Sequence, residues 1–527
     1  MLNLFMYICI DRKSVGALGR LVFMVLSLAT ILGASLVGQG AEARTIPESV
    51  HLKPVTATKI IKVSDGDSIE LIAGFVRDKV DGKWLTRLAY NGMIPGPMIV
   101  AKQGTKIKLK LTNQTGEPTS LHSHGLRVDD KNDGVVGIGQ DPILNNESHT
   151  YDLKFPDAGL FWYHPHMSDE YGQEMGLQGN YWVMDTDLSK MPAVDRDEVI
   201  VVDDLLVGEG QLPEFKSGKL SYALMGRYGN FNLVNNKSNW SSTAKLGSVV
   251  RYWMTNTANA RPFKLTFSGA KMKLIGGDSG PYAKDRMIDE LILAPSERAV
   301  VDVFFLNPKT VTLENIGPKK KQVLGKIFVA KNPKFTTLER AKLGANFERL
   351  QERKELSDMF QPLLSLAAAK PDFTMKIDAT LRGQHAEHMM GQGAGAEGIE
   401  WEDSMSEMNA AMSDKDVTWR VIDPATGKEN MAINWLFTKN KPVKIRIIND
   451  GKHHPMQHPM HFHGQRFIVL ARNGLPEETV GWEDTVLVRA GETVDVVLDN
   501  QNPGRWMGHC HISEHLGTGM MFGFEVR

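Results

Sequence analysis

The stretch HCHISEHLGTGM at residues 509–520 places one cysteine between two histidines. In a β-strand, successive side chains point to opposite faces of the sheet. If this stretch is a strand, Cys510 faces away from both His509 and His511. One short strand would then join two different metal sites.

The cysteine side of this strand has the residues for one of those sites. We expect His458 and His515 to complete a His₂Cys set with Cys510, and Met520 to be a weak axial ligand. This ligand set is typical of a blue-copper electron-transfer centre.

The other side of the strand faces a second group of histidines. Ten of the 16 histidines fall in four clusters, and the three clusters besides 509–515 are His122-Ser123-His124, His164-Pro165-His166 and the stretch from His458 to His463. Outside the cysteine side, eight imidazoles remain: His122, His124, His164, His166, His461, His463, His509 and His511. Eight imidazoles are too many for a single ion.

Zinc is the competing metal. Structural zinc sites close with four ligands and do not call for eight imidazoles beside a His₂Cys set with a methionine. Imidazole also suits copper, and thioether sulfur selects copper(I). The ligand types and their number therefore favour copper.

Composition limits the remaining classes of function. The chain has 527 residues, enough for three domains of ordinary size. Its 61 Lys+Arg and 62 Asp+Glu give a net charge of −1, which disfavours binding to nucleic acid or to an anionic membrane surface. Only two cysteines occur, Cys9 and Cys510, at opposite ends of the chain, so a disulfide framework is excluded.

Residues 1–43 are predicted to be an export signal. Basic residues precede the uncharged run from Leu21 to Gly38, and Ala41-Glu42-Ala43 fits a signal peptidase site. We therefore expect a periplasmic or secreted protein. The alternative is an uncleaved membrane anchor, since the apolar run is at the short limit for a spanning helix. The sequence leaves Sec and twin-arginine export both open.

The mature chain is built of short β-rich runs separated by turn residues. Ile107 to Leu111, for example, alternates as a half-buried strand should. The pattern predicts β-sandwiches at 44–192, 193–335 and 371–527, with a helical connector at 336–370. A Met/His-rich insert at 385–412, containing His385, His388, Met389, Met390, Met405, Met408 and Met412, predicts a loop or short helices on the surface.

At these motifs the chain resembles the three-domain bacterial multicopper oxidases, a group that includes laccases and cuprous oxidases. The resemblance covers the turn at Asn91–Pro97, the four histidine motifs and, in the second block, Asn256–Arg261 and Gly276–Pro281. It implies an all-β fold of three consecutive cupredoxin-like Greek-key sandwiches. It also implies four copper ions, one type 1, one type 2 and two type 3.

The resemblance assigns each ligand. Type 1 copper would take His458, Cys510, His515 and Met520, and type 2 copper would take His122 and His461. The type 3 pair would take His124, His164, His166, His463, His509 and His511. Met521 is expected to be a packing residue.

The implied reaction couples two half reactions. A donor is oxidised one electron at a time at the type 1 site, and Cys510 passes the electrons through His509 and His511. O₂ is reduced to two waters at the trinuclear cluster. Asp133 occupies the position of the family's proton-donating carboxylate, and the alternative is an ordinary Asp-Gly turn residue at Asp133-Gly134.

Two positions depart from the family pattern. Leu516 stands where many bacterial relatives have an acid directly after the type 1 histidine, which leaves a second proton route in doubt. Ser123 stands where tryptophan is common, and we expect it to point away from the cluster and change packing only.

The electron donor is the least determined property. The methionines of the insert favour copper(I), with a role in copper tolerance, and phenols are the main alternative. The same methionines are explained as readily by adaptable packing on a flexible loop. A non-catalytic copper carrier would not need four converging His-x-His pairs. The predicted partners are therefore O₂ and a small donor, and we expect a monomer.

Overall fold

The computed structural model describes residues 44–187, 191–209, 211–215, 219–318, 320–332, 336–383 and 395–527. The predicted export signal, with Cys9, lies outside these residues. The first part of the insert, with His385, His388, Met389 and Met390, also lies outside them. Within the described residues, we find no helix with the length and apolar character needed to cross a membrane.

The first sandwich packs a four-stranded sheet against a five-stranded sheet, with strand orders β3-β2-β5-β7 and β1-β4-β9-β8-β6. Its strands are β1 (Ile60–Lys62), β2 (Ser68–Val80), β3 (Lys83–Tyr90), β4 (Met98–Lys102), β5 (Lys106–Gln114), β6 (His122–His124), β7 (Ser148–Lys154), β8 (Gly159–His164) and β9 (Gly179–Met184). The core draws Leu71 and Leu109 from one sheet and Phe161 and Tyr181 from the other. In β5, buried Ile107, Leu109 and Leu111 alternate with exposed lysines, as the sequence predicts.

The second sandwich pairs a six-stranded sheet, β11-β10-β13-β18-β15-β16, with a five-stranded sheet, β12-β20-β19-β14-β17. Its strands are β10 (Arg196–Leu205), β11 (Phe231–Val234), β12 (Trp240–Lys245), β13 (Val249–Asn256), β14 (Phe263–Ser268), β15 (Lys271–Gly277), β16 (Gly280–Ile288), β17 (Leu291–Leu293), β18 (Arg298–Phe304), β19 (Val311–Ile316) and β20 (Lys321–Ala330). Tyr252 and Val301 from the first sheet meet Phe267 and Leu313 from the second in its core.

The third sandwich pairs a seven-stranded sheet, β23-β22-β21-β25-β30-β27-β28, with a five-stranded sheet, β24-β32-β31-β26-β29. Its strands are β21 (Phe373–Leu381), β22 (Val417–Asp423), β23 (Lys428–Glu429), β24 (Asn434–Phe437), β25 (Val443–Asn449), β26 (His458–Phe462), β27 (Phe467–Arg472), β28 (Leu475–Pro476), β29 (Thr485–Val488), β30 (Glu492–Leu498), β31 (Gly504–Cys510) and β32 (Met521–Val526). The predicted all-β fold is confirmed, and the exact domain limits stay predictions.

The helical connector is also confirmed. Helices at Thr337–Phe347 and Lys354–Leu364 and a 3₁₀ turn at Ser365–Ala368 lie between the second and third sandwiches. Other α-helices are Asp169–Gly172, Ser406–Ala411 and Ser513–Gly517, and other 3₁₀ turns are Ser49–His51, Asp130–Asn132, Ala396–Gly398 and Asn430–Ala432. The helix Ser406–Ala411 confirms a short helix in the described part of the insert.

Strand register brings the histidine motifs side by side. His122 in β6 is the direct cross-strand partner of His164 in β8. In the third sandwich, His461 in β26 is the partner of His509 in β31, and Met460 is the partner of Cys510. Because directly opposed residues on one face lie about 5 Å apart, these registers fix which imidazoles meet.

Candidate metal centre

Cys510, His458 and His515 form a compact, fully buried set. The Cys510 Sγ lies 3.7 Å from the Nδ1 of His458 and 3.7 Å from the Nδ1 of His515, and the two nitrogens lie 3.3 Å apart. Met520 is fully buried in the same core, and its carbonyl accepts a hydrogen bond from the Cys510 amide. The structure thus brings together the residues predicted for a blue-copper site.

The protonation chemistry of this set fits a metal. Burial raises the pKa of the Cys510 thiol far above its usual range, so a thiolate here requires a bound cation. Burial lowers the pKa of His458 to about 3, which keeps its imidazole neutral. The Nε2 of His515 donates to the carbonyl of Leu224 at 3.2 Å, which leaves the Nδ1 lone pair facing the sulfur.

The eight other imidazoles converge on the opposite face of β31. Three groups have ligand atoms within 4.8 Å of one another. These groups are His122, His124 and His461, then His124, His164 and His511, and then His166, His463 and His509. Each group combines histidines from the first and third sandwiches, so the pocket lies at their junction.

Hydrogen bonds on the outer side of the rings select the nitrogen that faces the pocket. The Nδ1 atoms of His122 and His461 donate to the carbonyls of Asp133 and Asp484, at 2.7 and 2.8 Å. Their Nε2 atoms are buried without a hydrogen-bond partner. Such outer bonds orient the histidine ligands of metals.

Desolvation completes the fit. The pKa values of seven of these imidazoles lie below the usual value, and burial is the largest cause. The seven are His124, His164, His166, His461, His463, His509 and His511. Neutral imidazoles with free lone pairs are metal ligands rather than cations. A buried thiol, these seven neutral imidazoles and the buried imidazole of His122 fit copper, as the sequence predicts.

Comparison with known proteins agrees with this geometry. Two family models described as "Multicopper oxidase" match residues 77–187 and 404–527. Both terminal sandwiches of the chain thus match the multicopper oxidase family. It is 26% identical over 460 residues to "Multicopper oxidase mco" of Staphylococcus aureus, covering 84% of this chain and 85% of the relative. It is 24% identical over 491 residues to "Multicopper oxidase MmcO" of Mycobacterium tuberculosis, covering 84% of each.

Solved structures support the fold. The multicopper oxidase of Campylobacter jejuni, named a metallo-oxidase, is 23% identical with a TM-score of 0.67, covering 91% of this chain and 98% of that one. The family models and the relatives identify the protein as a copper oxidoreductase that uses O₂, and four coppers are the norm of multicopper oxidases. The predicted enzyme class and cofactor are confirmed.

Asp133 lies against the histidine pocket. Its Oδ2 accepts a hydrogen bond from the His463 Nδ1 at 2.8 Å, and its carbonyl accepts the one from His122. Asp133 directly follows the 3₁₀ turn Asp130–Asn132, and Gly134 after it has φ of +89° at a position where a Cβ would clash with the Leu121 carbonyl. The turn therefore places the carboxylate at the pocket, and its role as a proton donor stays a prediction.

The residues that depart from the family pattern occupy apolar or outward positions. Leu516 and Met521 pack with Val135 and Met507 in a small apolar cluster. The Ser123 hydroxyl lies 3.1 Å from the Tyr181 hydroxyl, on the side away from the imidazoles, as predicted.

The sequence reasoning missed several polar residues around the two sites. Glu514 directly precedes His515, is fully buried, and its carboxyl pKa is raised to about 7 by that burial. Asp484 lies 2.9 Å from the His124 Nε2. Trp419 packs against His515 with ring centroids 4.2 Å apart. Only Glu514 had a visible signal, its position beside a predicted ligand.

Proposed function

We propose that this oxidase takes its electrons from copper(I), bound beside the His458–Cys510–His515 site by Met225 and His454. The observation that carries the proposal is a buried contact of 3.1 Å between the His454 Nε2 and the Met225 Sδ. Imidazole and thioether are ligands that suit copper(I), whereas oxidation of a phenol does not require such a pair.

The copper assignments follow the groups of the pocket. His458, Cys510, His515 and Met520 would hold the type 1 copper. The type 2 copper would take His122 and His461, and the type 3 pair would take His124, His164, His166, His463, His509 and His511. When bound, these coppers supply one-electron transfer on the sulfur side and four-electron reduction of O₂ to water on the other.

The chain itself connects the two sides. Cys510 shares its backbone with His509 and His511, so two short covalent paths run from the thiol to the pocket. The imidazole of His509 is oriented by its Nδ1, which donates to the Cys510 carbonyl at 2.9 Å. Donor oxidation and O₂ reduction thus take place at separate places, which keeps reactive oxygen species away from the donor.

Access to the sulfur side favours a small donor. His515 and His458 are fully buried, and the Leu224 carbonyl covers the outer nitrogen of His515. Trp419 lies between this site and His454, with ring centroids 4.2 Å from His515 and 5.7 Å from His454. A metal ion at Met225 and His454 would therefore be one indole ring away from His515.

The described part of the methionine-rich insert packs against the segment at Met225 and Gly226, next to the Leu224 carbonyl that contacts His515. The Asn409 side chain accepts from the Met225 amide at 3.0 Å and donates to the Gly226 carbonyl at 2.8 Å. Met412 is buried in the core that contains Met225, and Met405 and Met408 pack against that core. These thioethers add ligands of the type that copper(I) prefers to the core that contains Met225.

Oxygen uptake tests the donor. We expect copper(I) to drive faster uptake than 2,6-dimethoxyphenol in the copper-loaded enzyme. Met225→Leu should lower the copper(I) rate by at least about tenfold, since it removes the soft ligand and keeps the volume. Met431→Leu, at an exposed methionine, is the matched control and should change neither rate.

Two results would reject the copper(I) proposal. One is a dimethoxyphenol rate that exceeds the copper(I) rate. The other is a copper(I) rate that Met225→Leu leaves unchanged. Copper bound without O₂ uptake from any donor would favour the carrier function instead.

We also propose that the enzyme is exported and acts as a periplasmic or secreted monomer in copper tolerance. The support is the sequence of residues 1–43, with its basic start, apolar run and Ala41-Glu42-Ala43. Sequencing the N-terminus of the protein isolated from the producing cells should give Arg44 first. A retained Leu21–Gly38 run would instead indicate an anchor.

A further inference from the structure

Asp484 and Thr485 hold two imidazoles of the pocket at once. The His124 Nε2 lies 2.9 Å from the Asp484 Oδ1 and 3.1 Å from the Thr485 Oγ1. The His461 Nδ1 donates to the Asp484 carbonyl and lies 3.3 Å from the same Thr485 hydroxyl. The two rings stack with centroids 3.8 Å apart. This dipeptide therefore sets the relative position of one histidine from each terminal sandwich.

The bond to Asp484 also decides which nitrogen His124 offers. A carboxylate only accepts, so the Nε2 of His124 carries the proton and Nδ1 keeps its lone pair. That Nδ1 is buried without a hydrogen-bond partner, and His124 forms a group with His164 and His511. Here the ring is oriented by a side chain from another sandwich rather than by a local carbonyl.

Asp484 is itself fixed by Arg298, from the second sandwich. Arg298 is fully buried and donates through both terminal nitrogens to the two carboxylate oxygens of Asp484. Its other donors reach the carbonyls of Leu160, Ser296 and Asp278, at 3.0, 2.9 and 3.2 Å. All five N–H groups are used, which locks a planar fork against the carboxylate.

Asp278 completes the support from the same sandwich. Its Oδ2 accepts from the backbone amides of Asp484 and Thr485, both at 3.1 Å, and its Oδ1 accepts from the Arg298 amide at 2.7 Å. Thus the Asp278 carboxylate holds the backbone of Asp484 and Thr485, and the Arg298 guanidinium holds the Asp484 side chain.

The space around this contact is closed. Gly125 follows His124 with φ of +81°, and a Cβ there would clash with the Asp484 carboxylate and lie 2.8 Å from the Arg298 Nη2. A side chain at this position would separate His124 from its support.

We propose that Arg298 and Asp278, in the sandwich that supplies no ligand of the imidazole pocket, are positioning residues of the copper cluster: they fix Asp484, which presents the Nδ1 of His124. The second sandwich is thereby a structural requirement for O₂ reduction. This role is independent of the identity of the electron donor.

Copper titration of the apo-protein tests the proposal with Arg298→Lys. Lysine keeps the charge but loses the fork, so His124 should lose its fixed orientation. We expect an unchanged blue type 1 band and a 10- to 100-fold weaker affinity for the cluster coppers, about the effect of losing such outer partners. Return of the ascorbate-reduced blue band after O₂ is added should slow in the same variant.

The matched control is Arg251→Lys. Arg251 makes a similar buried fork with Asp302, at 2.7 and 3.0 Å, without contact to the pocket's imidazoles. Equal loss of cluster copper in both variants would overturn the proposal, because it would show general destabilisation of the second sandwich. An Arg298→Lys titration identical to the parent's would also overturn it.

A second substitution applies if Arg298→Lys does not fold by circular dichroism. Asp484→Asn keeps the volume and one oxygen near His124, but it removes the charge that holds both partners. Weaker cluster copper with an intact blue band supports the proposal, and normal cluster affinity overturns it.

Discussion

The Nε2 of His166 lies 3.4 Å from the Nε2 of His509, although the two residues are 343 positions apart. The first histidine belongs to the first sandwich and the second belongs to the third. Their contact means that the pocket exists only when the two terminal sandwiches are docked. A metal bound there therefore stabilises the whole chain and not one domain.

Copper removal should lower thermal stability. A ligand that binds only the folded state contributes about 4 kcal/mol at a free concentration a thousand times its Kd. We expect the apo-protein to unfold at a lower temperature than the copper-loaded protein, measured by differential scanning calorimetry. Equal melting temperatures would contradict a pocket that spans the junction.

Acid should destabilise the apo-protein. Burial lowers the folded-state pKa of His458 to about 3, below the ordinary value of 6.5. The unfolded chain then binds more protons below pH 6.5, so stability falls as pH falls from about 6.5 toward 3. At pH 5 this one imidazole lowers the free energy of unfolding by about 2 kcal/mol relative to neutral pH. Chemical denaturation at pH 7.5, 6 and 5 measures the slope, and a flat profile would refute neutral buried histidines.

Cys510→Ser should abolish the blue absorption band while the protein still folds. The oxygen fills the sulfur's place but is a poor ligand for copper(II) in a blue site, so the blue band and donor oxidation should both be lost. The apo-protein should lose about 1–3 kcal/mol of stability from the buried hydroxyl. Visible absorption and urea unfolding check this, and a persistent blue band would rule out Cys510 as the ligand.

Met520 and Met521 offer a matched pair. Met520→Leu keeps the volume, at a cost below about 1.5 kcal/mol, but removes the weak axial ligand. We expect it to change the type 1 reduction potential, measured by redox titration. Met521→Leu alters only the cluster with Val135 and Leu516 and should leave the potential unchanged. The reverse outcome would exchange the two roles.

Asp133→Asn should slow O₂ reduction more than donor oxidation. The amide keeps the turn and fills the same space but cannot donate a proton as an acid. Loss of a general acid costs about 100-fold or more in rate. Stopped-flow reoxidation of the reduced enzyme measures it, with exposed Asp141→Asn as the control. A normal reoxidation rate would show that Asp133 has a structural role only and is not the proton donor.

The sequence predicts which candidate ligands come together, because the pattern that places them is local. His-x-His spacing combined with strand alternation is enough to place Cys510 and His509 on opposite faces, and β31 shows that arrangement. The helical connector and the β5 alternation are predicted for the same reason, since both patterns lie within short segments.

The supports of the ligands could not be predicted in this way. Arg298 meets Asp484 across 186 positions, and His454 meets Met225 across 229. Neither contact leaves a periodic signal, because each depends on how complete sandwiches dock. Arg298 follows an ordinary turn and opens β18, where a charged residue normally indicates solvent exposure.

The alternation in β31 has a genetic consequence. Deleting one residue between Trp506 and His509 would shift the strand register by one position. The Cys510 sulfur would then face the imidazole pocket, and a neighbouring imidazole would face the side of Met225. Both half reactions would fail in the same event. Substitutions at Met225, His454 or Trp419 leave that register intact, so on the copper(I) proposal a change of electron donor need not disturb the imidazole pocket.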